Sequence, residues 1–351
     1  MLQLSYKKHI FNFKRPAGTS RGVLRHKTSY FLTVWDTENP EVKGIGECST
    51  IKGLSPDPWH DYEYTLNEMQ KHPDPMDIWL NEGLKNFPSI RFGLETALID
   101  MHRGGQQVLF PSDFTRGKKG IPINGLIWMG DFNFMMQQVK EKTDAGYRCI
   151  KLKIGAIDFD KELELLHYIR NKYSPDKLEL RVDANGAFLP SEAMEKLKRL
   201  SELQIHSIEQ PIRAGQWDEM ALLCKESPIP IALDEELIRL KDREELRKML
   251  QHIKPQYIVL KPSLLGGLSS AKQAVEEAEY ANTGWWVTSA LEGNIGLNAL
   301  SQWTYLLESP MPQGLGTGQL FTNNIPSPLI IKGDQLFYDT EKNWDLTQLH
   351  E

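Results

Sequence analysis

The 351-residue sequence has few cysteines and lacks the common cysteine and histidine motifs of metal sites. Its three cysteines, Cys48, Cys149 and Cys224, lie far apart and form no CxxC pair, which argues against a disulfide framework or a cysteine-rich zinc site. The nine histidines form no HExxH motif and no closely spaced pair. A metal ion bound by this chain is therefore expected to have carboxylate ligands.

The sequence also lacks a basic excess and a long apolar segment. It has 41 Lys and Arg against 47 Asp and Glu, a net charge of -6, whereas a nucleic-acid or anionic-membrane surface needs a basic excess. No apolar run reaches the roughly 18 residues of a membrane span. The N-terminal MLQLSYKKHIFNFKRP carries charges where a signal peptide is apolar. These absences predict a soluble cytoplasmic protein without a nucleic-acid or membrane partner, and they leave the oligomeric state open.

Residues 1–115 predict a small α+β domain, because strand patterns come first and helical patterns follow. Tyr30–Trp35 is rich in β-branched and aromatic residues, as expected of a strand. Ser89–His102 has apolar residues at spacings of three and four, as expected of a helix. Gly44–Ser49 (GIGECS) is expected to turn the chain. Arg15–Gly22 (RPAGTSRG) lacks apolar periodicity and is expected to form a mobile loop.

From residue 116 onward, short apolar runs alternate with amphipathic stretches, which predicts a parallel sheet covered by helices. Polar residues at the predicted strand ends recur at intervals of 25 to 30 residues: Lys153, Asp183, Glu209, Asp234, Lys261 and Ser289. Such even spacing favours a closed (β/α) barrel over an open doubly wound sheet. Barrel enzymes carry their catalytic groups at the C-terminal ends of the strands. We therefore expect these six residues to converge at one mouth.

Three of these strand-end residues are acids: Asp183 in LRVDANG, Glu209 in HSIEQPI and Asp234 in IALDEEL. Carboxylates brought together repel one another unless a cation neutralises them. All-oxygen ligation suits a hard divalent ion, and Mg²⁺ keeps positions that a substrate oxygen can take. The alternative is that each acid stabilises a helix N-terminus. Three acids on consecutive strands at near-equal spacing favour the metal site.

Lysines flank these acids on both sides. Lys151 and Lys153 in CIKLKIG follow the period of two that places both on one side of a strand, and Lys261 ends the strand of IVLKPS. A solvated lysine, with a pKa of about 10.4, is a poor base at pH 7. Neighbouring cations and burial lower the pKa of a lysine and allow it to remove a proton from carbon. The alternative, lysines that extend to solvent, fits the apolar flanks less well. The pattern predicts proton abstraction beside a metal-bound carboxylate, with the metal stabilising the resulting dianion.

These motifs resemble those of the enolase superfamily, muconate-lactonizing subgroup. The matching segments are KLK (151–153), DAN (183–185), SIEQP (207–211), LDE (233–235), LKPS (260–263) and the N-terminal GIGECS. The resemblance implies an α/β fold, in which an α+β capping domain (1–115) covers a modified TIM barrel, (β/α)7β (116–325). The segment 326–351 is expected to pack back on the capping domain. The resemblance also implies Mg²⁺, with Mn²⁺ as a substitute, on Asp183, Glu209 and Asp234.

The resemblance further implies roles for individual residues. Lys153 is expected to act as general base and then general acid, and Lys261 to stabilise the enolate from the opposite face. Lys151 is expected to hold the substrate carboxylate or to lower the pKa of Lys153. Three positions behind or beside the substrate are implied as well: Arg181, Asn185 and Ser289.

Two further segments, TSALEGNIGLNAL (288–300) and PQGLGTGQLFTNNIPSPL (312–329), narrow the expected reaction. They resemble subgroup members that dehydrate 2-succinyl-6-hydroxy-2,4-cyclohexadiene-1-carboxylate to 2-succinylbenzoate in menaquinone biosynthesis. N-succinylamino acid racemization stays open, since some members catalyse both reactions. Dipeptide epimerases carry Asp-x-Asp where this chain has GLGTG, and mandelate-type racemases carry a His–Asp dyad where it has Lys261. A non-catalytic binding protein is disfavoured because no acid or lysine of the set is missing.

Overall fold

The computed structural model describes residues 1–19, 22–155 and 157–350 of the chain. An N-terminal antiparallel sheet with its helices is followed by a parallel sheet whose strands alternate with helices. Within the described residues, no helix is both long and apolar enough to cross a membrane.

The N-terminal part is a three-stranded antiparallel sheet in the order β1-β2-β3, covered by helices on one side. Leu32 and Val34 of the central strand pack against Ile90 and Leu94 in the core between sheet and helices. The strand predicted at 30–35 and the helix predicted at 89–102 are confirmed. The elements are β1 (Leu2–Thr19), β2 (Gly22–Asp36), β3 (Asn39–Ser49), α1 (Tyr62–Lys71), α2 (Met76–Ile78), a π-helical turn (Trp79–Gly83) and α3 (Pro88–His102).

The prediction that Gly44–Ser49 turns the chain is wrong, because this segment is the second half of β3 and pairs with β2. Its glycines serve helix packing rather than a turn. A Cβ atom at Gly46 would lie 1.9 Å from the carbonyl oxygen of Gly93, and one at Gly44 would lie 2.0 Å from that of Ala97. The two glycines therefore let α3 pack directly against the strand.

The prediction of a loop at Arg15–Gly22 is also wrong for the residues that the structure describes. Residues 15–19 and Gly22 extend the β1–β2 ribbon, in which Ala17 lies opposite Leu24. The register shifts between Asn12 and Ala17, a stretch that contains Pro16, which has no N–H to donate to the neighbouring strand. Cross-strand hydrogen bonds maintain this ribbon without apolar periodicity. The predicted loop also includes residues 20 and 21, which lie outside the described residues.

The second part is a seven-stranded parallel sheet in the order β11-β10-β9-β8-β7-β6-β5. Its strands are β5 (Gly125–Ile127), β6 (Cys149–Lys153), β7 (Glu179–Asp183), β8 (Ser207–Glu209), β9 (Ile231–Leu233), β10 (Tyr257–Leu260) and β11 (Gly284–Val287), preceded by β4 (Ile121–Pro122). The helices are α4 (Phe132–Asp144), α5 (Phe159–Lys172), α6 (Pro190–Ser201), α7 (Trp217–Glu226), α8 (Arg243–Ile253), α9 (Pro262–Leu265), α10 (Leu268–Tyr280) and α11 (Asn294–Leu306).

A short segment at Gln313–Gly314 closes the sheet into a barrel. On one side, the N–H of Gly314 donates to the carbonyl of Val287 in β11 at 2.8 Å. On the other side, the N–H of Gln313 donates to Pro122 at 2.8 Å, and the N–H of Asn124 donates back to Gln313 at 2.9 Å. The segment is the eighth position of the ring, and the predicted (β/α)7β barrel under an α+β domain is confirmed.

The C-terminal residues contact both parts of the molecule. A hairpin of β12 (Leu329–Lys332) and β13 (Gln335–Tyr338) pairs through β13 with β4. The helix α12 (Thr347–His350) follows, and its Leu349 joins an apolar cluster with Phe11 and Phe31 of the N-terminal sheet. The domain boundaries at 115 and 325 stay a prediction.

Two carboxylates of the N-terminal part bind the N-termini of barrel helices. Glu47 on β3 accepts hydrogen bonds from two backbone N–H groups at the start of α11, at 2.8 and 3.0 Å. Glu95 on α3 accepts two from the start of α10, at 2.6 and 3.0 Å. A helix N-terminus carries partial positive charge, which favours these contacts. They hold the N-terminal domain, here called the capping domain, beside the catalytic ends of β10 and β11.

Candidate active site

The strand-end residues predicted from their spacing meet at one end of the barrel. Lys153, Asp183 and Glu209 are the last residues of β6, β7 and β8 and lie side by side in the sheet register. Asp234 and Lys261 directly follow β9 and β10. The three acids are only 1–2% exposed, so their charges require partners within the protein.

Lysine ammonium groups are those partners. Lys151 donates to Glu209 at 2.7 Å and to Asp183 at 3.3 Å. Lys153 donates to the same Oδ2 atom of Asp183 at 3.0 Å, and Lys261 donates to Asp234 Oδ2. The site therefore contains three carboxylates on the consecutive strand ends of β7, β8 and β9, with lysine ammonium groups from β6 on one side and from the end of β10 on the other.

Burial and these charges shift the pKa values of the carboxyl groups in opposite directions. Burial and the nearby charge of Asp183 outweigh the effect of Lys151 and together raise the pKa of Glu209 to about 8. Burial alone would raise the pKa of Asp183 too, but the three lysines outweigh it and hold that pKa well below its usual range. Of these two acids, Glu209 is therefore the one whose negative charge is less compensated.

The donor atoms of this site fit a hard divalent cation. Glu209 Oε1 and Asp234 Oδ1 are buried and have no hydrogen-bond partner in the described part of the chain, and oxygen is the donor that Mg²⁺ prefers. The three carboxylates do not converge on one point, and each accepts a hydrogen bond from a lysine. Within residues 1–19, 22–155 and 157–350, no three His, Cys, Asp or Glu side chains lie close enough together to bind one metal ion. The assignment of Mg²⁺ to Asp183, Glu209 and Asp234 stays a prediction.

Asn185 connects Lys153 to a further acid. Its Oδ1 accepts from Lys153 at 2.7 Å, while its Nδ2 donates to Glu235 at 3.0 Å. Its own N–H donates to Asp183 Oδ1 at 3.0 Å, and its φ of 45° is the left-handed conformation that Asn tolerates. Glu235 was not among the predicted site residues, although it stands next to Asp234 in the acidic run LDEEL.

Ser289 lines the pocket, and its hydroxyl forms hydrogen bonds with two protein side chains. It donates to the buried Glu292 at 2.6 Å and accepts from Thr317 at 2.8 Å. Ser263 also donates to Glu292, at 2.5 Å. Glu292 and Thr317 were not among the predicted site residues, because only the fold brings them together with Ser289.

Arg181 is not brought to this group of residues. It lies on β7 two residues before Asp183, and its side chain, 1% exposed, points into the barrel interior. There it donates to Glu179 at 2.7 Å and to the carbonyl of Pro312 at 3.0 Å. Its guanidinium carbon lies 4.5 Å from the ring centre of Trp286. In the structure Arg181 therefore contacts the barrel interior and none of the strand-end acids.

A pocket opens above the strand-end residues, between the barrel and the capping domain. Its floor includes Lys151, Lys153, Asp183, Asn185 and Lys261, together with Ser289 and Thr317 from the far side of the barrel. Its other walls are mostly apolar: Leu24, Ile51 and Leu54 come from the capping domain, and Leu126, Trp128 and Leu291 from the barrel. Such a pocket suits a small carboxylate ligand with an apolar body.

Comparison with known proteins supports the family that the motifs indicate. The family described as "Enolase C-terminal domain-like" matches residues 135–318. The chain is 50% identical to the o-succinylbenzoate synthase of Desulfotalea psychrophila, over 95% of this chain and 98% of that protein. The crystal structure of MenC from the same organism superposes with a TM-score of 0.86 at 46% identity, covering 96% of this chain and 99% of that one.

A more distant relative carries out a different reaction. The chain is 23% identical to the N-succinyl-L-Arg/Lys racemase of Bacillus cereus, over 73% of this chain and 71% of that protein. The resemblance inferred from the motifs is confirmed, and the chain belongs to the enolase superfamily.

Proposed function

We propose that the protein catalyses the o-succinylbenzoate synthase reaction, the dehydration of 2-succinyl-6-hydroxy-2,4-cyclohexadiene-1-carboxylate to 2-succinylbenzoate. This makes it a carbon–oxygen lyase. The identity of 50% along nearly the whole chain to a synthase supports this activity. One observation in the site carries the proposal. Lys153 ends β6 and Lys261 follows β10, and these strands lie four positions apart in a ring of eight, so the two lysines face each other across one pocket.

Lys153 is the residue to which we assign proton transfer. As a neutral amine, it takes the proton from the carbon that bears the ring carboxylate, and the C–H electron pair moves into that carboxylate as an enediolate. The pair then returns to form a ring double bond while the bond to the hydroxyl group breaks. The protonated Lys153 gives its proton to the departing hydroxyl, which leaves as water. One residue on one face thus performs both transfers, as a syn-elimination requires.

Lys261 has the complementary task on the other face of the ring. Its ammonium group is buried, which lowers its pKa, but the charges of Asp234, Glu235 and Glu209 together outweigh burial and raise it. A charged group fixed in this position stabilises the negative charge that develops during proton removal. Lys151 and Asn185 keep the carboxylate of Asp183 and the amine of Lys153 in place through the hydrogen bonds given above.

Asp183, Glu209 and Asp234 would hold the divalent cation, Mg²⁺ or its substitute Mn²⁺. When bound, the cation supplies positive charge to the substrate carboxylate and makes its α-proton more acidic. The two buried carboxylate oxygens without hydrogen-bond partners support this assignment.

The alternative is racemization of an N-succinylamino acid or a dipeptide by the same two lysines. It uses Lys153 and Lys261 as two bases, one on each face, so the site geometry alone fits both reactions. The identity of 50% to a synthase against 23% to a racemase favours dehydration. A non-catalytic binding protein is disfavoured by the complete set of lysines and acids.

The deciding experiment follows the absorbance of the cyclohexadiene substrate with purified protein and Mg²⁺, and then with EDTA. We expect metal-dependent loss of the diene and formation of 2-succinylbenzoate. Absence of turnover by folded, metal-loaded protein would refute the proposal. In that case, exchange of the α-proton of N-succinylamino acids and dipeptides in D₂O would identify the racemase or epimerase alternative.

We also assign the reaction to menaquinone biosynthesis and the protein to the cytoplasm. Both assignments rest on the proposed activity. A deletion strain that regains menaquinone when the gene is restored would test the pathway.

A further inference from the structure

The two ends of the pocket carry positive charge in different ways. At the floor, each lysine ammonium group donates to a carboxylate of the strand ends. The side formed by the capping domain is lined by Leu24, Ile51 and Leu54. Lys52 is the one charged residue among the described capping-domain residues that line the pocket.

The charge of Lys52 is uncompensated, and its backbone is fixed. Its ammonium group has no hydrogen bond or ion pair within the described ranges. The residue sits in a tight turn in which the N–H groups of Leu54 and Ser55 donate to the carbonyl of Ile51 at 3.0 and 2.9 Å. The N–H of Ile51 donates to the Ser55 hydroxyl at 2.7 Å. An exposed lysine side chain that extends from a fixed backbone beside a pocket is suited to bind an anionic group of the ligand.

The pocket therefore matches a ligand with an anionic group at each end and an apolar body between them. The proposed substrate has this form. Its ring carboxylate has to lie at the floor, where Lys153 reaches the adjacent carbon, and its succinyl chain carries a second carboxylate away from the ring. Leu24, Ile51 and Leu54 of the capping domain line the same pocket as Lys52 and the lysines of the floor.

We propose that Lys52 binds the succinyl carboxylate and thereby makes the enzyme selective for substrates with a second carboxylate. The inference rests on the proposed function, which supplies the dicarboxylate. Lys52 is a specificity residue, since it contacts the end of the substrate that does not react. Its removal is expected to weaken binding and to leave the chemical step intact.

Two ligands that differ only in the distal carboxylate test the inference directly. 2-Succinylbenzoate has this group, and 2-butyrylbenzoate has a methyl group in its place. Binding of both to the Mg²⁺-loaded protein is measured by calorimetry for wild type, Lys52→Met and Lys52→Arg. The variant Lys225→Met is the matched control, because it removes one exposed lysine charge from α7, outside the pocket.

We expect Lys52→Met to weaken binding of 2-succinylbenzoate about tenfold, as the loss of a hydrogen bond to a charged group does, and to leave 2-butyrylbenzoate unchanged. Lys52→Arg is expected to keep most of the preference for 2-succinylbenzoate over 2-butyrylbenzoate, and Lys225→Met is expected to keep all of it. An equal loss for both ligands, or no loss for either, would overturn the inference.

The turnover assay separates this inference from the proposed function. For Lys52→Met we expect an increase of about tenfold in KM and a kcat within about twofold of wild type. Wild-type protein that prefers the succinyl ligand but fails to dehydrate the diene would refute the proposed reaction and support the dicarboxylate site. If Lys52→Met had wild-type kcat and KM, the role of Lys52 in binding the succinyl carboxylate would be overturned, and the proposed reaction would stand.

Discussion

The barrel side and the capping side of the pocket are built on different principles. The floor on the barrel side consists of buried lysines and carboxylates at strand ends, joined to one another by hydrogen bonds, while Leu126, Trp128 and Leu291 of the barrel form apolar walls. The capping side consists of apolar side chains and Lys52, carried by the β1–β2 ribbon and the turn that follows β3. Charges fixed on strands favour proton transfer without reorganisation, and loops change without disturbing them. The comparison indicates that reaction type and substrate choice are encoded in separate parts of the chain.

The largest expected effect comes from the barrel side. Lys153→Ala removes the group that transfers both protons, so we expect kcat to fall by about 10²–10⁴-fold, the usual contribution of general acid–base catalysis. Steady-state assays with the cyclohexadiene substrate measure it. Binding of 2-succinylbenzoate, measured by calorimetry, should change little. A variant that keeps more than about a tenth of the wild-type kcat would contradict the assignment of Lys153.

The metal site gives the next largest effect. Glu209→Gln removes the negative charge of a buried oxygen donor, and we expect Mg²⁺ affinity to fall by at least about 100-fold. Calorimetric titration of metal into the protein measures it. The control is Glu195→Gln, a substitution of an exposed acid on α6. Equal Mg²⁺ affinities for Glu209→Gln and wild type would remove Glu209 from the proposed ligands.

A smaller effect is expected in the stability of the capping domain. Asp57 accepts hydrogen bonds from the N–H and hydroxyl of Ser89 at the start of α3, but burial raises its pKa to about 6. The folded protein therefore binds an extra proton at pH values between the unfolded and folded pKa of this group. The neutral, protonated Asp57 therefore contributes to the free energy of unfolding below pH 4. This contribution is lost as the pH rises to about 6 and the buried carboxyl group becomes charged.

The variant Asp57→Asn isolates this contribution. Between pH 4 and pH 7, the free energy of unfolding of the variant should rise relative to wild type by about 2 kcal/mol. Urea unfolding at several pH values measures the difference. A constant difference in the free energy of unfolding across this range would show that Asp57 does not titrate as its burial indicates. We expect kcat at pH 7 to be similar for the variant and wild type.

The smallest effect is expected on the apolar wall. Leu54→Ala removes part of the surface that contacts the body of the substrate, so KM should rise about tenfold while kcat changes less. Kinetic assays measure both constants, and Leu222→Ala, which truncates an exposed leucine on α7, is the control. If Leu54→Ala lowered kcat as strongly as it raised KM, this would contradict the conclusion that the capping side affects substrate binding and not the chemical step.

The sequence alone predicted the barrel and the convergence of its charged strand ends, because both depend on periodic patterns. Asp183 and Glu209 end adjacent strands, and a regular strand–helix repeat places such residues together. The assignment of a turn to Gly44–Ser49 failed for a physical reason. Glycine permits a turn, but it also permits the close approach of a helix backbone, and only the fold distinguishes these uses.

The contacts between distant segments could not be predicted from the sequence. Glu292 and Thr317 meet around Ser289, and no local pattern marks either residue. Arg181 lies two residues before Asp183, yet its partners are in the barrel interior. Lys52 is one lysine in a turn, and its position at the pocket follows from how the capping domain docks.

The docking of Glu47 onto α11 has a consequence for synthesis of the protein on the ribosome. Its partner Gly293 lies 246 residues later in the chain. At translation rates of 5–20 residues per second, the carboxylate emerges roughly 12–50 s before the backbone that will bind it. Lys27, 4.0 Å from Glu47, and the hydroxyl of Ser29, at 2.9 Å, belong to the same early segment. During synthesis, Lys27 and Ser29 can therefore compensate the charge of Glu47 in the capping domain before the barrel residues that bind it have been made.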